Sequence, residues 1–166
     1  MDPKLSIIII CSDNVDANVF SSVRNVSPYE VILVITGENK ALKTLAENNG
    51  FQVIVTDETG RNEGYIKAAK KAKGDVLLFL SGNLVYQPSQ LDSFLKPILE
   101  GQADVVLNNS TPSFLKRRVK QWPDSYTLWR QVFNDSLGYR DLNIDSLISM
   151  PHAYTQEVLK SIGYES

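Results

Sequence analysis

Residues 74–83 read GDVLLFLSGN. The five residues from Val76 to Leu80 are apolar without a break, so neither face of the segment suits water. A run this short makes a strand and falls well short of a buried helix. Residues 75–80 are therefore expected to form a strand buried on both faces. Ser81, Gly82 and Asn83 are turn formers and end it. Upstream, GYIKAAKKAK at 64–73 reads as a helix closed by Gly74, and FQVIV at 51–55 as another strand. Gly50 sits where the residue just past a helix end belongs, after a helix over 40–49. EVILVI at 30–35 and LSIIIIC at 5–11 are two more strands. Between them, Val15, Val19, Val23 and Val26 recur at spacings of four, four and three, one face of a helix over 14–26. Ser12, Asp13 and Asn14 are all good helix N-caps.

Downstream, Gln87-Pro88-Ser89 opens a helix running to about residue 100, with Ser89 as its expected cap. Residues 104–107 form a short fifth strand. LISMPHAYT at 147–155 reads as a last strand bent by its proline, and 156–162 as a short helix. Apolar strands alternating with helices imply a mostly parallel sheet covered on both sides. The expected class is α/β, a three-layer α/β/α sandwich with right-handed crossovers. Residues 109–145 differ in texture: they hold both tryptophans, two of the seven prolines and a basic cluster. Helices near 112–121 and 124–137 would make this a helical insertion. A single domain over 1–166 is expected, with 1–108 as the ligand-binding half and 109–166 carrying the insertion and the last strand and helix.

The chain has 166 residues, 43% hydrophobic and 22% charged, which excludes a disordered or fibrous protein. A net charge of −2 and a pI near 5.4 argue against a nucleic-acid partner. Cys11 is the only cysteine, so no intrachain disulfide can form. The single histidine, His152, has no cysteine cluster to join, which excludes a zinc site. No apolar run is long enough to span a bilayer. MDPKLS lacks the signature of a signal peptide, so the expected location is cytoplasmic.

Open α/β sheets bind ligands at the carboxyl ends of their strands. That directs attention to four loops, at 11–14, 36–39, 56–65 and 81–84. The first strand-to-helix turn has no glycine, so it is not a dinucleotide fingerprint. A P-loop and a G-x-S-x-G elbow are also absent.

TGRNEGYIKAAKKAKGDVLLFLSGNLV at 59–85 resembles the family 2 glycosyltransferases, which show a glycine, a variable helix, A-K-G-D, an apolar strand and D-x-D. LSIIIICSDN is similar to that family's first strand and polar turn, YEVILVITGENK to its second strand, and LISMPHAYTQEVLKSIGYES to its later strand and helix. The resemblance covers most of the chain and rests on the joint order of these stretches. It implies a GT-A-like fold and transfer of a sugar from a nucleotide-diphosphate donor to an acceptor hydroxyl, usually with inversion. It also implies Mn²⁺ or Mg²⁺ held by the D-x-D carboxylates against the diphosphate.

By the same resemblance, the D-x-D positions are Ser81, Gly82 and Asn83, so both carboxylates are replaced. Neutral oxygens hold hard cations poorly, and metal binding is expected to be weak. Thr36 stands where the second strand ends in an acidic residue or Asn. Asn62 and Tyr65 stand at an acidic and an arginine position. Ser12 and Asp13 fall in the turn that meets the nucleobase, although Asp13 equally suits a helix cap. Glu38 either approaches a ribose or is a solvated charge. Arg61 has the fork of donors that suits a diphosphate in place of metal, or is an ordinary exposed arginine. The donor would be a nucleotide-diphospho-sugar, UDP-linked in one version. Asp141, Asp145 and Glu165 do not match the family's base motif, so either the chain is cut short or it never carried the base.

The face made by Phe114, Leu115, Val119 and Trp122, opposite Lys116, Arg117, Arg118 and Lys120, has two readings. It packs on its own domain, or it lies on the inner face of an anionic membrane. Two further functional readings stay open: a degenerate relative that serves as a binding or scaffold module, and an unrelated doubly wound regulatory domain. The last would want acids at the first and third strand ends, where the chain has Asp13 and, later, Asp57.

Overall fold

A computed structural model of the chain describes residues 2–11, 15–57, 61–108 and 150–161. The elements follow in the order β1 (Leu5–Cys11), α1 (Ala17–Asn25), β2 (Glu30–Thr36), α2 (Lys40–Asn48), β3 (Gln52–Thr56), α3 (Arg61–Lys71), β4 (Val76–Ser81), α4 (Pro88–Leu99), β5 (Val105–Leu107), β6 (His152–Thr155) and α5 (Gln156–Ser161). The chain divides into two compact units, one of residues 1–106 with 150–166 and one of residues 107–149. The helices expected near 112–121 and 124–137, and the amphipathic face from Phe114 to Trp122, lie outside the described residues.

The six strands form one sheet in the order β3-β2-β1-β4-β6-β5. β1 pairs in parallel with β2 and β4, and β2 with β3. β6 runs antiparallel to β4, with His152 opposite Phe79. The mixed α/β class and the mostly parallel sheet agree with the alternation in the sequence.

Period-two side-chain alternation sorts the core into two layers. Ile7, Ile9, Leu33, Ile35, Leu78 and Leu80 meet α1, α2 and α4 on one face. Ile8, Ile10, Ile32, Val34, Leu77 and Phe79 meet the Ala68, Ala69 and Ala72 stripe of α3, and Leu159 of α5, on the other. Every residue of β1 is buried, including Ser6. The Ser6 hydroxyl donates to Glu30 Oε1 at 2.7 Å and accepts from the Gly74 N–H at 2.8 Å, so its burial leaves no polar group unmet.

Three helix starts differ from expectation. α1 is capped by Asp16, whose Oδ1 accepts from the Asn18 N–H at 2.9 Å, and not by Ser12, Asp13 or Asn14. α4 is entered through Gln87, whose N–H donates to Gln90 Oε1 at 3.3 Å, and Ser89 lies inside the first turn. Pro88 holds the first helical position, where a missing N–H costs nothing. α3 begins at Arg61, three residues before Gly64.

Gly64 is thus an internal helix residue, and packing explains it. A Cβ there would fall 2.5 Å from Val34 Cγ1 and 3.4 Å from Thr56 Cγ2. The glycine lets α3 lie against β2 and β3. Replacing glycine by alanine inside a helix normally stabilises it by about 1 kcal/mol. Gly64→Ala is expected to do the opposite, lowering unfolding free energy by about 1–3 kcal/mol through overpacking, as read from the midpoint of a urea titration.

Candidate functional site

The four parallel strands finish at one edge of the sheet. Register pairs Ile10 with Ser81, Cys11 with Ile35 and Thr36 with Thr56. The chain moves from β1 outward to β2 and β3, then crosses back to β4 on the far side of β1. The strand order therefore reverses between β1 and β4, and the crevice at their carboxyl ends is the switch point where such sheets bind ligands.

The turn after β4 is docked into that crevice. The Gly82 N–H donates to the Ile10 carbonyl at 2.7 Å, and the Gly82 carbonyl accepts from the Asp16 N–H at 3.2 Å. A Cβ at Gly82 would lie 2.8 Å from Cys11 Cβ and 3.3 Å from the Ile10 oxygen, so only glycine permits this approach. Ser81 Oγ accepts from the Asn83 N–H at 3.4 Å, a local serine turn. The Ser81 N–H in turn reaches the Tyr86 hydroxyl at 3.4 Å. Burial pushes the Tyr86 phenol up to about 12, so this partner stays uncharged. Ser81 is half-buried and Asn83 exposed. The turn offers neutral oxygens. Among the described residues, no group of three or more His, Cys, Asp or Glu is placed to hold a metal ion.

Thr36 is buried, and its hydroxyl donates to the Cys11 carbonyl at 3.2 Å, tying the ends of β1 and β2 together. The Cys11 thiol donates to the Val34 carbonyl at 3.4 Å, and burial raises it to about 12. It is a packing residue with negligible thiolate. Glu38 is exposed and sits 3.6 Å from Lys40. Arg61 and Asn62 are the first two residues of α3. Ser12 and Asp13 lie outside the described residues. The Tyr65 ring turns toward the sheet, 5.6 Å from Phe79 and 6.4 Å from His152, with its hydroxyl 3.9 Å from Met150 Sδ.

An open cleft of about 750 Å³ lies at the ends of β2 and β3. Glu38 and Lys40 line it, joined by Lys43, Thr56, Asp57 and Lys67. Of these only Glu38 stood out as a site residue in the sequence. The signal for the others was positional: Thr56 and Asp57 follow an apolar strand directly, in a loop the topology already marks.

The family model for "Glycosyl transferase family 2" matches residues 7–163, and the chain belongs to that family. No curated protein matches it significantly. Solved structures of glucosyl-3-phosphoglycerate synthase from Mycobacterium tuberculosis share the fold. One, in complex with phosphoglyceric acid, superposes with a TM-score of 0.70 at 18% identity, over 96% of this chain and 59% of that one. Another, with Mn²⁺, UDP and glucosyl-3-phosphoglycerate, gives 0.69 at 16% over the same shares. A third, with Mg²⁺ and UDP, gives 0.70 at 18%, over 96% and 58%. The chain thus spans less than two thirds of the length of these structures. No helix among the described residues is long and apolar enough to cross a membrane.

His152 begins β6 under this edge. Its ring stacks on Phe79 at 5.0 Å and meets Tyr154 edge-on at 5.3 Å. Its Nδ1 is buried without a partner, and burial lowers the imidazole to about 4. The unfolded chain therefore binds the proton more readily than the folded one. Stability should fall as pH drops from about 6.5 to 4, by at most about 1.4 kcal/mol per pH unit from this group. Urea titrations across that range should show a shallower decline for His152→Phe, which keeps the ring stack and removes the proton site.

Proposed function

We propose that this chain binds a nucleotide-diphosphate-sugar, UDP-linked in the simplest case, along the carboxyl edge of its sheet and transfers the sugar to an acceptor hydroxyl. The observation that carries this reading is the Gly82 turn, held against β1 at the switch point by two backbone hydrogen bonds. Family membership supports it, as do the UDP complexes of the structural relatives. In this reading Ser12, Asp13, Thr36 and Glu38 border the nucleoside. Arg61, Asn62 and Tyr65, with Ser81, Gly82 and Asn83, border the diphosphate. In transfer the acceptor oxygen bonds the anomeric carbon. The bond from that carbon to the diphosphate breaks, the diphosphate leaves with the electron pair, and the proton of the acceptor hydroxyl passes to solvent.

The leaving diphosphate gains negative charge, which a hard cation ordinarily offsets. The residues of the turn do not suit one. Ser81 Oγ already accepts a backbone N–H, Asn83 is a neutral donor of oxygen, and hard divalent ions favour carboxylates. We assign the compensating charge to Arg61 at the amino end of α3, where the helix dipole also favours an anion. The neutral turn also favours a second reading, a domain that binds the donor without turning it over. Loss of UDP from a UDP-sugar in the presence of acceptor candidates separates the two.

Calorimetric titration of UDP and UDP-sugars, with Mn²⁺ and with EDTA, tests the reading. Affinity should change less than about threefold between the two conditions, and Arg61→Ala should weaken it by about tenfold. The double substitution Ser81→Asp and Asn83→Asp should create Mn²⁺ binding and make nucleotide affinity depend on it. Unchanged metal binding in that variant would show that the turn does not face the diphosphate.

A further inference from the structure

The sheet ends on β3, whose five residues, Gln52–Thr56, pair with β2 along their whole length. The Thr56 carbonyl accepts from the Gly37 N–H at 2.8 Å and so points toward β2. Backbone direction alternates along a strand. Gln52 and Ile54 therefore also turn inward, while Val53 and Val55 turn their N–H and C=O outward. Among the described residues, no strand or loop pairs with that outer row. Open edge strands are normally guarded by a lysine, a proline, a bulge or great brevity. QVIVT holds no charge, proline or glycine, and Val55 is 48% exposed. β5, at the other end of the sheet, has three residues.

We propose that β3 pairs antiparallel with β3 of a second copy of this chain, about a two-fold axis at Ile54, joining the two sheets into one. The register is self-complementary. Val53 falls opposite Val55 of the second copy, and Val55 opposite its Val53. Each of these residues faces outward, so both pairs exchange N–H and C=O in both directions and the outer row is satisfied. Ile54 meets Ile54 across the axis, and Gln52 meets Thr56.

Charge on α3 supports the same orientation. The Tyr65 ring leans toward Phe79 of β4. Glu63 and Lys67 lie on the opposite side of the helix, where they line one cleft with Val55. Lys71 continues that stripe one turn further. α3 rests on β1, β2 and β3, so the two copies of α3 run antiparallel about three strand spacings apart, about 14 Å. The two-fold axis reverses the stripe, and Glu63 of each copy faces Lys71 of the other. Lys67, near the axis, keeps its own Glu63 at 2.6 Å. A second copy thus carries both the matching edge and the matching charges.

Sedimentation equilibrium from about 1 µM to about 1 mM tests this. The wild-type chain should move from 18.6 kDa toward twice that mass as concentration rises. Val55→Pro removes an outward N–H and leaves the ladder to β2 intact, and it should raise the dimer Kd by at least about tenfold. Ile54→Cys sets two thiols across the axis, and oxidation should give a covalent dimer on a non-reducing gel. The wild-type chain, whose one cysteine is the buried Cys11, should give none. A wild-type chain that stays at 18.6 kDa throughout overturns the proposal, as does a dimer whose Kd is unchanged in Val55→Pro. Should Val55→Pro fail to fold, Ile54→Cys decides, and a dimer that does not crosslink overturns the pairing.

Discussion

β1 hides all seven of its residues, and that constraint shapes the rest of the molecule. A strand buried on both faces can satisfy its backbone only through strands on either side, and here both neighbours are parallel. Parallel neighbours demand crossover helices, and the helices then cover both faces. The strand interior is left with no route to solvent. Chemistry is pushed to the ends, and the four parallel strands all finish at one edge. The one hydroxyl of β1, on Ser6, is absorbed by Glu30 and Gly74 at the opposite edge. Glu30 also takes Gln52 Nε2 at 2.7 Å, so the amino edge is knitted together and made inert. The carboxyl edge keeps groups in reserve.

Close approach at two glycines aligns that edge. Gly64 lets α3 settle on β2, which sets where Arg61 and Asn62 begin. Gly82 lets the β4 turn reach Ile10 and Asp16. Neither glycine has a positive φ, so space and not backbone freedom is the reason for each. The site geometry therefore depends on backbones packed too closely for any Cβ.

Much of this was legible in the residues. Apolar runs such as LSIIIIC and DVLLFL carry their own evidence, because the burial they demand is local to the segment. The strand bounds differ from expectation by a residue or two. Helix starts were harder to read, since several polar residues compete to cap each one. Ser12, Asp13 and Asn14 all suit a cap by type, yet the cap is Asp16, whose N–H also meets Gly82 across the sheet. That contact is 66 residues away in sequence and invisible to local pattern. Thr56 and Asp57 are hard to read as cleft residues for the same reason: the cleft they line takes shape only when α2 and α3 are packed on the sheet.

The charges around the edge carry a consistent argument. Lysines in the first turn of a helix work against its dipole by a few tenths of a kcal/mol, and α2 carries two there. Their ion pairs with Glu38 and Glu47 are exposed and return little. Stability alone gives no reason for Lys40 and Lys43 at these positions. An anionic ligand lying along the edge gives one, since it would gain from both the lysines and the helix end. The β4 turn points the same way from the opposite side. In the proposed reading, a turn of serine, glycine and asparagine holds hard cations poorly, and a diphosphate there draws its positive charge from the protein. In that reading the positive charge at the neutral turn falls to Arg61, at the start of α3, while the α2 lysines serve the part of the edge at the ends of β2 and β3.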